Sequence, residues 1–398
     1  MEKDFVFTSE SVTEGHPDKL CDQVSDAIID HFLELDPYAR VRAECAVATS
    51  ILFIAARFAS EVKADVAYLA RKAIRKIGYQ DADFDARKCS ILTSLQEYPP
   101  DADIYFNEKK LTDEEIDRIH VRQNANVFGF ACWQTPDLMP LPIWTAHRLA
   151  RRLDRVRQEN LIPYLSPDAK TQVGVEYRNR QPHRFHSITI IASSIKGAAG
   201  SVPAGRVQAD IMEAVIKPVF AEAEMQPDQN TRIFINPVEH LMVGGPAVHS
   251  GLTGRKSDVD TYGEYGRHGS SALSGKDPLR IDRVGAYAAR HAAKNLVAAG
   301  LATTCEVWLC YTIGLARPVS IQVDSFGTGV RSDEELTALV KQHFDFRLAG
   351  ILKAFDLRNL PALNKGKFYR QLAVYGHMGR SDLTLPWEAT DKVHALKS

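Results

Sequence analysis

Cysteine is scarce in this chain. There are six in 398 residues, at Cys21, Cys45, Cys89, Cys132, Cys305 and Cys310, and no two form a CxxC pair. That spacing excludes a zinc knuckle and a dense disulfide framework, so the residues read as mostly buried thiols. An excess of charge of one sign is lacking too: 49 Lys and Arg stand against 50 Asp and Glu, a formal net charge of -1. Such a balance gives no global attraction to nucleic acid or to anionic membranes, so any phosphate binding must be local. No run of about 18 apolar residues occurs, which argues against a membrane span. The opening MEKDFVFTSE has no apolar stretch behind a basic start, and a cytoplasmic protein is expected. A Walker loop, GxxxxGK followed by Ser or Thr, is missing as well.

What is present suits a globular enzyme. Hydrophobic residues make up 45% and charged residues 25%, and the length exceeds what one core usually serves, so two or three domains are expected. Leu20, Val24, Ile28 and Phe32 recur at four-residue spacing, which predicts an amphipathic helix over Pro17 to Leu35. The segment from Val41 to Phe58 reads as a buried strand or hairpin arm, followed by a helix from about Ser60 to Ile77 ended by Gly78. Cys89 to Leu95 reads as another strand. Between Pro99 and Val127 the texture turns polar and charged, with Thr112 three residues before Glu115 as in a capping box. This stretch is either a solvated insertion or a lid over a site.

A helix over Pro142 to Val156 carries Arg148, Arg151, Arg152, Arg155 and Arg157 nearby, a basic run expected to be a solvated face. Strands at Gln172 to Tyr177 and His186 to Ala192 and a helix at Arg206 to Phe220 follow. A third round brings a helix at Asp282 to Ala299, strands at Cys305 to Ile313 and Ser320 to Val323, and a helix at Asp333 to Phe344. The expected organisation is an N-terminal domain over 1–101, a charged insertion over 102–127, a central domain over 128–233 and a C-terminal domain over 234–398.

Two clusters carry chemistry. In FTSESVTEGHPDKLCDQ, Gly15 lets the chain turn, His16 and Asp18 sit at a helix start, and Lys19 adds a positive charge. Free N–H groups at such a start donate to a phosphate, although an Asp there also serves as a simple cap. The second cluster runs from Ile235 to Arg283 and sets Arg255, Lys256, Lys276 and Arg280 among glycines, with Asp277 and Asp282 available for a metal. Glycine-rich backbone plus fixed cations and carboxylates is the composition of a Mg2+-polyphosphate site; a surface turn with solvated charges is the alternative.

These words, together with FINP, GGP, GLTGRK, VDTYG, SGKDP, IDR, YGHMGR, PWE, LMPLPI and SPDAK, resemble the signature segments of the S-adenosylmethionine synthetase family, in the same order over nearly the whole chain. The resemblance implies an α/β (α+β) fold of three similar domains with helices packed on mixed sheets. It implies a homodimer or dimer of dimers with a shared site, and neither nucleic acid nor membrane as partner. It also implies a reaction in which the sulfur of methionine attacks C5′ of ATP and the whole triphosphate leaves, to be cleaved to pyrophosphate and phosphate. By position, His16 resembles the histidine near the 5′ oxygen, and Asp18 and Asp282 the Mg2+ carboxylates. Lys170, Arg255, Lys256 and Lys276 resemble the cations on the triphosphate, and Glu44 the carboxylate of a K+ site.

The organic-substrate half departs from the family. Arg57 stands where the family has a Glu for the ammonium of methionine, Tyr98 replaces a Gln, and His249 replaces an Asp. Arg280 replaces a Lys and Gln123 an Asp, while Leu241 replaces the aromatic residue that stacks on adenine, with His240 in the place of an Arg. Three readings stand open from sequence: a methionine adenosyltransferase with a rearranged pocket, a relative using another nucleophile or another nucleoside triphosphate, and a non-catalytic partner subunit.

Overall fold

In the computed structural model the described residues are 3–79, 84–99, 105–221, 223–237 and 242–398; His240 and Leu241 lie outside them. The elements are β1 (Phe5–Val12), α1 (Pro17–Leu35), β2 (Arg40–Ala48), β3 (Ile51–Ala59), α2 (Val66–Ile77), β4 (Ser90–Glu97), α3 (Asp113–Ile116), β5 (Ala125–Cys132) and α4 (Leu141–Gln158). They continue with β6 (Leu165–Arg178), β7 (Gln181–Ser194), α5 (Ala204–Ile211), a π turn over Met212–Ile216, α6 (Lys217–Ala221), β8 (Arg232–Ile235) and β9 (Gly251–Leu252). Then come α7 (Ser257–Asp260), α8 (Ile281–Ala298), β10 (Thr304–Tyr311), β11 (Ser320–Asp324), α9 (Asp333–His343) and α10 (Leu348–Phe355), with short helices beyond. Among the described residues, no helix is long and apolar enough to cross a membrane.

Helices pack on three sheets, two mixed, ordered β1-β6-β7-β8 and β4-β3-β2-β9, and one antiparallel, ordered β11-β10-β5. Each sheet takes strands from more than one of the expected segments. β1 runs antiparallel to β6 with Val12 opposite Lys170, β5 runs antiparallel to β10, and Ala46 of β2 faces Leu252 of β9. One apolar core lies under α1, α2 and α8, and a second under α4, β6, β7 and the π turn. The three units are therefore interlaced, and the β1–β6 and β2–β9 pairs bring site residues remote in sequence onto shared sheets.

Local rules account for most element ends. Helix α2 starts at Val66, later than the pattern suggested, because the Asp65 side chain accepts from Tyr68 N at 2.8 Å; it ends where Gly78 takes a left-handed φ of 98°. The capping box at Thr112 and Glu115 is present. Five of the six cysteines are buried and Cys310 is half-buried. The basic run on α4 is less solvated than expected: Arg157 pairs with Glu14 at 2.7 Å, Arg151 with Asp382 at 3.2 Å, and Arg148 lies 4.5 Å over the Trp144 ring.

Candidate active site

The first cluster is built on the N-terminus of α1. His16 is its N-cap and accepts from Asp18 N at 3.3 Å through Nδ1. That contact places the proton of a neutral ring on Nε2. Burial lowers the His16 pKa to about 4, against the pull of Asp168 and Asp18, so the ring is neutral near pH 7. Gly15 serves here by close approach, since a Cβ would lie 2.3 Å from Pro167 Cβ.

The GLTGRK loop lies directly on this helix end. A Cβ on Gly251 would sit 2.2 Å from the Pro17 carbonyl carbon, and Leu252 N and Gly254 N donate to Asp18 Oδ1 and Asp22 Oδ1 at 3.0 and 2.8 Å. Arg255 Nε reaches Asp18 Oδ1 at 2.7 Å, and Lys256 Nζ reaches Glu10 Oε1 at 2.5 Å. Lys170, opposite Val12 on β6, pairs with the other Glu10 oxygen. Burial works to raise the Glu10 pKa, but Lys170 and Lys256 hold it below the usual carboxylate range. Glu10 thus gathers two of the four expected triphosphate cations, in a role that the sequence reading did not assign. Its only signal is the alternation of FVFTSESV, which places Glu10 and Thr8 on one strand face.

Lys19 takes no part in this collar. It is fully buried between Asp22 (2.9 Å) and Asp260, and although burial lowers its pKa the two carboxylates raise it further, so it is a structural ion pair. Asp168 is a second residue that sequence reasoning missed. It accepts from Gly245 N at 2.7 Å and from His249 Nε2 at 2.8 Å, so His249 belongs beside His16, with ring centroids 5.1 Å apart, and away from Arg57.

The second cluster centres on Lys276 and Asp282. Lys276 forms an isolated bridge with Arg42 on β2, and its Nζ donates to Asp282 Oδ2 at 2.8 Å. Burial holds the Lys276 pKa below its ordinary value although Asp282 pulls it up. Gln123 donates to the same Asp282 oxygen, and Arg280 Nη1 donates to Gln123 Oε1 at 3.2 Å. Asp277 is buried, with its oxygens accepting from Val41 N and Leu279 N at 2.8 Å each; it holds the backbone rather than standing free for a metal. Glu44 is exposed and accepts from Arg42 Nε at 3.0 Å.

Two adjoining cavities open beside this second cluster. One, of about 640 Å³, is lined by Arg40, Arg42, Arg57, Tyr98 and Arg280 among others. The other, of about 540 Å³, is lined by Arg118, His120, Arg122, Gln123 and Ile313, and the two share Arg40, Asp277 and Arg280. Residues of the charged insertion therefore wall a cavity, and the insertion is pinned by Arg347, whose guanidinium pairs with Asp113 and Asp117. Arg57 and Arg42 are register partners on the solvent face of the sheet. Among the described residues, no hydrogen bond or ion pair joins the His16 cluster to the Lys276 cluster.

Profiles of the S-adenosylmethionine synthetase N-terminal, central and C-terminal domains match residues 4–100, 118–241 and 243–389. The chain belongs to the S-adenosylmethionine synthetase family. Among its relatives, the S-adenosylmethionine synthase of Gloeothece citriformis (strain PCC 7424) is 48% identical over 408 residues, covering 100% of this chain and 97% of that protein. Those of Thermosynechococcus vestitus (strain NIES-2133 / IAM M-273 / BP-1) and Trichormus variabilis (strain ATCC 29413 / PCC 7937) are 48% and 49% identical, covering 99% and 100% of this chain and 97% of each relative. Family membership accounts for the three-unit architecture and for the order of the sequence words.

Proposed function

We propose that this chain is an S-adenosylmethionine synthetase-type transferase. The sulfur of methionine donates its lone pair to C5′ of ATP, the C5′–O bond breaks, and its electron pair leaves with the triphosphate. Water then cleaves the triphosphate to pyrophosphate and phosphate. One observation carries the reading: Lys170, Arg255 and Lys256 converge on the α1 N-terminus, where His16 is held neutral with its free N–H on Nε2. The chemical difficulty is charge on the departing oxygen, and fixed cations, helix N–H groups and a neutral imidazole donor meet it without reorganising.

Asp18 and Asp282 are the Mg2+ candidates. Each offers hard carboxylate oxygens beside a cation that holds phosphate, which fits an ion that binds through one or two carboxylates plus phosphate oxygens. Bound Mg2+ supplies charge neutralisation to the polyphosphate; Arg255 and Lys276 orient its carboxylate ligands. Glu44 is the K+ candidate, an exposed carboxylate that faces the Arg42 guanidinium as Asp18 and Asp282 face Arg255 and Lys276.

The partner is a second copy of the chain. The solvent face of the sheet of β2, β3, β4 and β9 carries Ile51 (45% exposed), Phe53 (43%), Leu92 (53%) and Leu252 (45%), an apolar centre flanked by the charged ends of both clusters. A two-fold dimer on this face sets the His16 cluster of one copy against the Lys276 cluster of the other, giving a complete triphosphate cradle. Light scattering of the purified chain at twice the monomer mass supports this; a monomer that turns over ATP refutes it. For the reaction, incubation with ATP, Mg2+ and methionine yields S-adenosylmethionine, pyrophosphate and phosphate. Absence of all three products from folded protein overturns the reading.

A second reading rests on the arginine wall. Arg57, with Arg40, Arg42 and Arg280 around one cavity, suits a nucleophile bearing a carboxylate but no ammonium. The same assay with 4-(methylthio)butanoate in place of methionine decides between them.

A further inference from the structure

His16, Asp168 and His249 come from three separate segments: the end of α1, strand β6 and the loop after the GGP glycines. Each offers one ligand atom, and these atoms lie within 4.8 Å of one another. His249 Nε2 is already 2.8 Å from Asp168 Oδ2, and the two imidazoles are edge to face at 5.1 Å. A tetrahedral ion with bonds of about 2.1 Å sets its ligands about 3.4 Å apart. The group therefore needs to close by roughly an ångström, and it can do so on one side. Asp168 is buried and anchored by Gly245 N, whereas the His249 side chain is 41% exposed on a loop.

We propose that His16, Asp168 and His249 form a binding site for one borderline-soft divalent cation of the Zn2+ class. Two imidazoles and one carboxylate select such an ion over Mg2+, which prefers oxygen ligands and holds its water. His16 binding through Nε2 carries its proton on Nδ1, so the ring gives up the hydrogen bond from Asp18 N and must turn about half an ångström closer to Asp18 Oδ2, now 3.6 Å away, to donate to it. A carboxylate behind a ligating histidine orients the ring and raises its basicity. The ion replaces the His249–Asp168 hydrogen bond, and the remaining coordination position is left to water or to a phosphate oxygen. Where the proposed reaction holds, occupancy takes the His16 N–H away from the departing 5′ oxygen, so Zn2+ inhibits triphosphate release.

Binding is read without nucleotide, so failure here and failure of the proposed reaction are separate results. Untagged full-length chain is titrated with Co2+, and Zn2+ affinity is measured by competition with a chromophoric chelator. The expected result is one Co2+ per chain with the intense visible bands of four- or five-coordination, displaced by Zn2+ and unaffected by excess Mg2+. His249→Ala weakens Zn2+ more than about 100-fold, beyond the loss of a mere outer partner. Asp168→Asn does the same while its side-chain oxygen still accepts from Gly245 N; circular dichroism confirms the fold of both. Unchanged Zn2+ affinity in either folded variant, or a pale six-coordinate Co2+ spectrum competed by Mg2+, overturns the proposal.

Discussion

Arg57→Glu is expected to tighten methionine binding, and the size of the effect follows from where Arg57 lies. The residue is exposed on β3, lines the cavity with Arg40, Arg42 and Arg280, and stands opposite Arg42 in the sheet register. An ammonium about 4 Å from a guanidinium costs about 1 kcal/mol at the dielectric of water and about 4 kcal/mol at an effective value near 20. Exposure argues for the lower figure. Removing the charge then lowers the methionine KM about 5-fold, and reversing it gives about 2 kcal/mol, or roughly 30-fold. The interaction is made equally before and during the reaction, so kcat stays level while KM moves. The fold is not harmed, because a like-charged register pair becomes an opposite pair worth about 0.2–1 kcal/mol. The assay is initial phosphate and pyrophosphate release at saturating ATP over a methionine series, for wild type, Arg57→Ala and Arg57→Glu. Rising salt shrinks the difference between variants. If both folded variants keep the wild-type methionine KM, the ammonium does not lie near Arg57 and the pocket assignment is wrong.

Lys276→Ala leaves Asp282 without its lysine and the triphosphate without a cation, so turnover falls at least about 100-fold with the protein still folded; near-normal turnover refutes the role. His16 is held neutral by burial, with a pKa of about 4 against an ordinary 6.5. Its ring signal, assigned in 13C-histidine NMR by loss in His16→Asn, stays flat through pH 6.5 and moves near 4. Because the unfolded chain takes this proton first, His16 costs stability as pH falls through that window; a midpoint near 6.5 refutes the burial argument. Gly129→Ala puts a Cβ 1.9 Å from the Ala289 carbonyl carbon, backbone against backbone where β5 crosses α8. The expected loss exceeds about 3 kcal/mol by chemical denaturation, and an unchanged midpoint counts against the packing.

What the sequence displayed and what it hid divide along one physical line. Helix α1 was legible to the residue, Pro17–Leu35, because its periodicity, its proline and its capping histidine are all local. The strand formed by Phe5–Val12 was not anticipated. Its partner β6 begins at Leu165, and nothing nearby in sequence announces that pairing. Glu10 was missed for the same reason: its role appears when Lys170 and Lys256, remote in sequence, close on it. Lys19 failed in the opposite direction, since a lysine beside His16 and Asp18 in sequence is turned by the helix into the core, where Asp260 neutralises it.

The grouping of His249 with Arg57 shows how far a list of substitutions can carry an argument. Both were read as walls of one co-substrate pocket, yet in one chain His249 contacts Asp168 while Arg57 lines a cavity beside Arg280. Two residues from different clusters can face one ligand when a second copy supplies one of them. In the proposed dimer, the apolar centre of the sheet, with Phe53 and Leu92 in register on adjacent strands, is the surface that would bring the second copy there. Dimerisation and the shared pocket therefore stand or fall together. A charge placed at the interface, Phe53→Asp, should dissociate the chain and abolish triphosphate release in parallel, measured by light scattering and product assay across the same concentration series. A monomeric Phe53→Asp protein with full activity would mean that each chain completes its own site, and His249 would then have no part in binding the nucleophile.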